Sequence, residues 1–513
     1  MSRTGNSLKN MTTGLLGQAV TLVLQFVYRT VFIQILGLTY LSVSGLFTNI
    51  LTIFSFAELG IGQAIVFSLY KPIAENDTEK IRALMELYKK TYRVIGIVIF
   101  VLGLLFFPVL PYLLKGSADG IERLNLIYLL FVFESGASYF FSYRQSFLSA
   151  CQQQYRLNLM GCVFSVCREI LRIVLITVTR QYIPVLVFTC VWTVFQNAWY
   201  AKKIGNLYPY IRNTRGAALA RDEKKTIFQN IRALIIYKVG TLALNSTDNI
   251  IITVVVGLTW VGQYSNYATL VSSVSVFIAI LFSSLTASIG NLNAQDDIGK
   301  KKQMFDVVNL ATFWVYSIGA VCFLVALTPT VGIWLGSAYL LDFPTVAVIV
   351  LNIYIAGMLY APFNYRQTMG LFVYGKWRPI ISAVINIVVS VFLGKWLGLM
   401  GVLAGTAIAR LTTNVWYDPY IVYKKGFQQS PKRYYLQYAG YFLLFLCSCG
   451  AGLLIARIQV FGGLFDILLH CVLCAVILSA VYAVLFSGTA SFAYLRTAAY
   501  SVWKQFRKRI RNA

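Results

Sequence analysis

Long apolar stretches, each bounded by a short polar or basic segment, follow one another from residue 10 to residue 487. A helix of about 20 apolar residues crosses the roughly 30 Å hydrocarbon core of a bilayer and satisfies its own backbone polar groups, which lipid cannot do. The pattern predicts spans near 10–35, 41–70, 91–114, 122–149, 158–179, 182–200, 228–256, 260–290, 308–335, 344–371, 379–394, 399–422, 436–457 and 462–487. That is an all-α integral membrane protein of about 14 transmembrane helices. Gly398, Gly401 and Gly405 mark the pair at 379–394 and 399–422 either as a tight crossing or as one broken helix. The first apolar run is too long for the core of a signal peptide and is expected to remain as the first span.

The chain also repeats. Gly37-Leu38-Thr39-Tyr40 matches Gly257-Leu258-Thr259-Trp260 at a spacing of 220, and the same offset sets Ala74-Glu75-Asn76-Asp77 on Ala294-Gln295-Asp296-Asp297 and Lys80 on Lys300. Phe141-Ser142-Tyr143-Arg144-Gln145 and Phe363-Asn364-Tyr365-Arg366-Gln367 lie 222 apart, with Tyr155-Arg156 aligned to Trp377-Arg378. A third echo sets Asn197-Ala198-Trp199-Tyr200 on Asn414-Val415-Trp416-Tyr417. An even number of helices per repeat gives both halves one orientation, so the expectation is two six-helix lobes related by a pseudo-twofold axis along the membrane normal. The expected division is an N-terminal lobe at 1–200, a basic connection at 201–227, a C-terminal lobe at 228–425, two further helices within 436–487 and a basic tail at 488–513.

Composition agrees: 58% of residues are hydrophobic and 12% charged, against about a quarter charged in soluble proteins. With the N-terminus inside, 31 Lys and Arg residues fall in inner segments and five in outer ones, so both termini are expected in the cytoplasm. That distribution also accounts for the net charge of +26 without nucleic acid, because the basic residues lie in short loops rather than in a folded basic domain. The nine cysteines fall mostly inside apolar segments and read as small buried side chains. A single His470 makes no His-containing metal cluster, and the chain has no HExxH, Walker or nucleotide-binding pattern and no large loop for catalysis. No enzymatic activity and no bound cofactor are expected.

Charges inside apolar spans are costly and face a cavity, a partner or the headgroups. They single out Arg29, Glu58, Glu134, Arg168, Glu169, Arg172, Lys238, Asp248 and Arg410, with Arg144 and Arg366 nearer the inner ends of their helices. Arg29 and Lys238 occupy the first helix of each half. They form either a cationic site for an anionic substrate or ion pairs with Glu58 and Asp248. Arg144 and Arg366 either anchor their helices to loop carbonyls and headgroups or act as phosphate-binding forks. Arg168 and Arg172, four apart, share one face of their helix.

Leu36-Gly37, Gly45-Leu46-Phe47, Glu58-Leu59-Gly60-Ile61-Gly62 and Leu69-Tyr70 resemble the N-terminal pattern of bacterial polysaccharide and O-antigen flippases. These belong to the multidrug/oligosaccharidyl-lipid/polysaccharide (MOP) exporter superfamily. Asn245-Ser246-Thr247-Asp248-Asn249, Val261-Gly262-Gln263-Tyr264-Ser265 and Tyr365-Arg366-Gln367 resemble its members too, and the likeness covers roughly residues 5–425. The resemblance implies a flippase in the bacterial inner membrane that turns an undecaprenyl-diphosphate-linked oligosaccharide to the outer leaflet by alternating access. It would work as a monomer among membrane lipids, with a polysaccharide polymerase and glycosyltransferases as further partners. On this reading Arg29 and Lys238 meet the diphosphate in a central cavity, and Arg144 and Arg366 act nearer its entrance. Arg168, Arg172 and Arg410 are further substrate contacts, and Glu58, Asp248 and Glu134 are candidates for H+ or Na+ coupling or gating. The alternatives are a multidrug or organic-cation exporter of the same superfamily and a passive lipid scramblase. A cation substrate calls for uncompensated carboxylates, whereas the spans hold more Arg and Lys than Asp and Glu.

Overall fold

The computed structural model describes residues 3–54, 68–69, 72–73, 75–114, 121, 123–151, 153–212, 219, 247–293, 297–369, 371, 374–375, 377–460 and 462–497. Glu58 and Lys238 lie outside the described residues, and so do the pairings considered for them. All regular structure among the described residues is helical. Among the described residues, eight helices are long and apolar enough to cross a membrane, or nine if Leu124–Phe140 and Ser142–Leu148, bent by 46°, form one span. The protein is a multi-pass membrane protein.

Helix α1 (Arg3–Phe54) is interrupted at Gly37, whose φ of 84° is a conformation glycine adopts without steric cost. The sequence separates its first two spans at that point. Helix α2 (Thr78–Phe106) passes through a turn at Phe107–Val109 into the short α3 (Leu110–Leu114). Then come α4 (Leu124–Ala150), α5 (Gln154–Thr179), α6 (Tyr182–Leu207), α7 (Asp248–Val255), α8 (Leu258–Asn293) and α9 (Ile298–Leu335). The remainder is α10 (Phe343–Met358), α11 (Tyr360–Thr368), α12 (Arg378–Thr412), α13 (Asn414–Ile421), α14 (Lys432–Ile455) and α15 (Gly463–Phe486). Helix α12 breaks at Gly398 (φ 59°), and Gly405 then lies so close to Ser390 that a β-carbon there would strike it. Both readings of the Gly398–Gly405 segment therefore hold: a broken helix that folds into a tight crossing.

Some boundaries differ from expectation. Helix α2 begins at Thr78 rather than 91, and α9 at Ile298 rather than 308. Each start is set by an aspartate at the N-cap, Asp77 accepting from the backbone N–H of Lys80 and Asp297 from that of Lys300, both at 2.9 Å. Hydropathy marks only the apolar part of a helix, while the cap stabilises polar turns ahead of it. The span expected at 344–371 is interrupted at Leu359 into α10 and α11, although Phe343–Arg366 together is long and apolar enough for one crossing, and α5 holds the charged Arg156, Arg168, Glu169 and Arg172.

Packing divides the chain into residues 1–265 and 266–513. In the first unit α4 lies between α2 and α6, and α1 packs on α5 and touches α7. Val43, Leu46, Phe47, Tyr128, Val132 and Val185 form part of its core. In the second unit α9 packs against α10, α14 and α15, and α12 packs on α10. The C-terminal helices are tied to α9 by a hydroxyl chain in which Tyr482 contacts both Ser317 and Ser448 at 2.7 Å. Their other face is apolar and exposed, with Phe465, Leu468, Val472 and Val476 outward, as a lipid-facing addition requires. His470 Nε2 meets the carbonyl of Ile458 at 2.6 Å, and Asp466 accepts from the backbone N–H groups of Val460 and Gly462. Both residues fix the connection between α14 and α15.

Candidate functional site

Four charged side chains of the first unit, Glu134, Arg168, Glu169 and Arg172, gather where α1, α4, α5 and α6 meet. Glu169 on α5 is 1% exposed and lies between two arginines, with Arg168 Nε at 3.0 Å and Arg172 Nη1 at 3.1 Å. A carboxylate buried alone costs several kcal/mol, so one of the two guanidinium charges is committed to compensating it. The i,i+4 spacing seen in the sequence thus becomes a bracket around an acid. The Arg172 guanidinium also lies 3.8 Å from the ring centroid of buried Tyr28, over the negative face of the ring.

Glu134 on α4 accepts from Thr193 Oγ1 at 3.2 Å and lies within Coulombic reach of Arg172 and Arg168. Tyr182, the first residue of α6, contacts Ser44 Oγ at 2.7 Å and packs edge-on against Phe32 at 5.1 Å. Arg29 leaves α1 on a different side from Tyr28, because adjacent helix positions are about 100° apart. Its Nη2 donates to Ser265 Oγ on α8 at 2.6 Å, and Ser265 donates in turn to the carbonyl of Gly262. The polar layer therefore sets two arginines, Arg168 and Arg172, against two acids, Glu134 and Glu169, and Arg29 adds a third cation on another side of α1. Such a layer can attract an anion, and neutralising Glu134 would make it more cationic.

The other expected site residues are placed differently. Arg144, near the end of α4, donates through Nη1 to the carbonyl of Ala201 at 2.6 Å and through Nε to Tyr143 at 3.1 Å. These bonds fasten α4 to a carbonyl within α6, rather than to a loop carbonyl, and leave the side chain half-exposed. Arg366 is 0% exposed and donates through Nη1 to Asp418 at 2.5 Å, and Arg378 pairs with the other oxygen of that carboxylate. A guanidinium with no exposed surface is not a ligand-binding fork, so the entrance role expected of Arg366 gives way to anchoring. Arg410 donates to the backbone carbonyl and side-chain oxygen of Asn352 at 3.2 and 3.3 Å, which ties α12 to α10. Asp248 stands in the first turn of α7.

Sequence reasoning passed over Tyr28, Tyr182, Ser265 and Asp418. Asp418 had a legible signal, since it is an acid inside an expected span and follows the Asn414–Tyr417 echo directly. The tyrosines had none, because membrane proteins are rich in aromatics whatever their function. Among the described residues no group of three His, Cys, Asp or Glu side chains is placed to hold a metal ion.

No protein-family model and no curated protein sequence matches the chain. Solved structures do match its fold. An inward-facing multidrug resistance MATE-family transporter of the MOP superfamily aligns at 15% identity with a TM-score of 0.62, over 77% of this chain and 93% of its own. The lipid II flippase MurJ, in an inward closed conformation, aligns at 14% identity with a TM-score of 0.65, over 91% of this chain and 98% of its own. The chain has the fold of the MOP transporters. A MOP-superfamily transporter from Pyrococcus furiosus, for which a binding pocket of reversed polarity has been described, aligns at 13% identity with a TM-score of 0.56, over 79% and 94%. The MOP fold agrees with the superfamily that the sequence motifs resemble, and these three matched proteins are transporters rather than enzymes.

Proposed function

We propose that the protein moves an anionic lipid-linked substrate, a polyprenyl-diphosphate-linked oligosaccharide, between leaflets by alternating access. The observation that supports this is the set of arginines within the apolar helices, Arg29 on α1 and Arg168 and Arg172 on α5, beside two described acids, Glu134 and Glu169. Cationic side chains offset the desolvation of a diphosphate, and covered polar surface shields sugar hydroxyls that would each cost several kcal/mol in hydrocarbon. The polyprenyl chain stays in lipid. Basic residues concentrated on one side of the expected topology support cytoplasmic termini, in a protein of fourteen spans that carries its substrate toward the outer face of a bacterial inner membrane. Assembly with polysaccharide-building enzymes is compatible with a monomer as the transport unit.

A second reading, export of an organic cation, is supported by the likeness to multidrug transporters and by Glu134, a carboxylate on which a proton or sodium ion could exchange with cargo. The discriminating experiment measures flipping of a defined polyprenyl-diphosphate oligosaccharide and efflux of an organic cation by purified protein in liposomes. Flipping is expected for the lipid, and Arg29→Gln or Arg172→Gln should slow it by tenfold or more, since losing a buried phosphate contact costs roughly 2–5 kcal/mol. Folded variants that flip the lipid at the unmodified rate, or cation efflux with no lipid flipping, would overturn the proposal. Transport that persists after every ion gradient is collapsed would remove the coupling role of Glu134.

A further inference from the structure

A second basic feature lies at the end of the first unit where α4 and α6 finish and α2 begins. A pocket of about 470 Å³ is lined there by five cationic side chains, Lys89, Arg93, Arg144, Lys202 and Arg212, together with Phe140 and Tyr143. None of its lining residues is acidic. Glu86 lies 3.7 Å from Lys89 and also pairs with Lys90, so it offsets part of the charge at one edge. Arg93, Lys202 and Arg212 are exposed and make no ion pair among the described residues. Arg144 is held by the Ala201 carbonyl and the Tyr143 hydroxyl, so a ligand would meet a guanidinium already oriented.

The pocket does not end in water on every side. Four-residue steps along α2 lead from Arg93 to Ile97, Val101 and Leu105, all exposed and all on one helix face. On α6 the exposed residues Phe195, Val191 and Val187 lead away from Lys202 in the same sense, and Phe133 is exposed on α4 between them. A cationic pocket continuous with an apolar surface matches a molecule whose phosphate is joined to acyl chains. A free phosphate would use the pocket and leave the apolar stripes without a role.

We infer that this pocket binds the headgroup phosphate of one anionic glycerophospholipid, whose acyl chains lie along the exposed faces of α2 and α6. The site is distinct from the polar layer of Tyr28, Arg172 and Glu169. It needs only that the chain spans a bilayer, so it stands or falls separately from the proposed substrate. Its consequence is a protein whose stability depends on anionic lipid at one membrane surface.

The test is native mass spectrometry of the purified full-length chain, titrated in detergent with phosphatidylglycerol or with phosphatidylcholine of the same acyl chains. Inorganic phosphate and diphosphate serve as competitors. Phosphatidylglycerol should be retained as one tight adduct and phosphatidylcholine should not. Each basic residue near an anionic surface contributes a factor of about five, so Arg93→Gln with Lys202→Gln should weaken retention roughly 25-fold. Lys203→Gln, exposed and outside the pocket, should change little, and Ile97→Ser should weaken lipid retention while the basic pocket stays intact. Thermal melting confirms that the variants fold. Equal retention of both lipids, or a preference that survives the double variant, overturns the inference. Displacement of the lipid by millimolar diphosphate at unchanged Ile97→Ser affinity also overturns it, in favour of a site for soluble phosphate.

Discussion

The repeated pentapeptides place Arg144 and Arg366 at matching points, yet the two arginines end in opposite environments. The third echo shows why. Continued by one residue, Asn197–Tyr200 and Asn414–Tyr417 bring Ala201 opposite Asp418. Arg144 reaches the backbone carbonyl at the first of these positions, and Arg366 reaches the carboxylate at the second. In both halves the arginine fastens one helix to the same place on another. A carbonyl leaves the positive charge uncompensated and the surroundings open, whereas a carboxylate neutralises it, recruits Arg378 and lets the group be fully buried. One side-chain difference thus separates a closed structural anchor from an open cationic pocket.

The largest expected effect comes from breaking the closed version. Asp418→Ala leaves Arg366 and Arg378 buried without their counter-charge, and removing one partner of a buried ion pair costs about 3–5 kcal/mol. Thermal or denaturant unfolding in detergent should show a large loss of stability, with reduced yield of folded protein. If the variant melts within a degree or two of the parent, the triad does not hold α11 and α13 together.

The sharper intervention converts the open version into the closed one. Ala201→Asp supplies at the matched position the carboxylate that the second half already has. Pairing with Arg144 should cancel its charge and put a negative group among Arg93, Lys202 and Arg212, cutting retention of phosphatidylglycerol by more than tenfold. Stability should change far less than in Asp418→Ala, because the surroundings of Arg144 are partly solvated and exposed pairs contribute about 0–1 kcal/mol. Unchanged lipid retention would show that Arg144 and its pocket do not meet the phosphate.

Much of this architecture was legible in the sequence, and the limits follow from what each signal measures. Hydropathy reports apolar length, so it located apolar spans but missed the polar turns Thr78–Lys90 and Ile298–Val307 that extend α2 and α9. The glycines at 37 and 398 marked real breaks, because positive φ is tied to residue type. Charges inside spans singled out Arg168, Arg172 and Glu134, which the structure sets near one another. They could not say that Glu169 would sit between the two arginines, because that depends on rotamers and on α1 packing its Tyr28 ring against Arg172. For Arg366 the pentapeptide suggested a symmetric role, and only the partner position on another helix, 52 residues away, decided otherwise.

The smallest expected effect concerns the pair of N-caps, where the two halves agree. Asp77 and Asp297 occupy matched positions and each accepts from a lysine backbone N–H three residues on. At Asp297 that hydrogen bond, with the nearby Lys300 ammonium, holds the carboxyl below its ordinary range. A depressed folded-state value means that the ionised cap stabilises the protein above the pKa of the unfolded chain. The contribution fades as pH falls through the lower, folded value. Thermal melting of the parent should therefore lose a small increment at acid pH that Asp297→Asn does not lose, because an amide oxygen accepts the same hydrogen bond at every pH. Asp297→Ala should lie below both at neutral pH and meet the parent once the carboxyl is protonated. The effect is modest, since the group is exposed and screened by salt. Parallel pH profiles for parent, Asn and Ala variants would show that the helix start at Ile298 is set by the packing of α9 rather than by its cap.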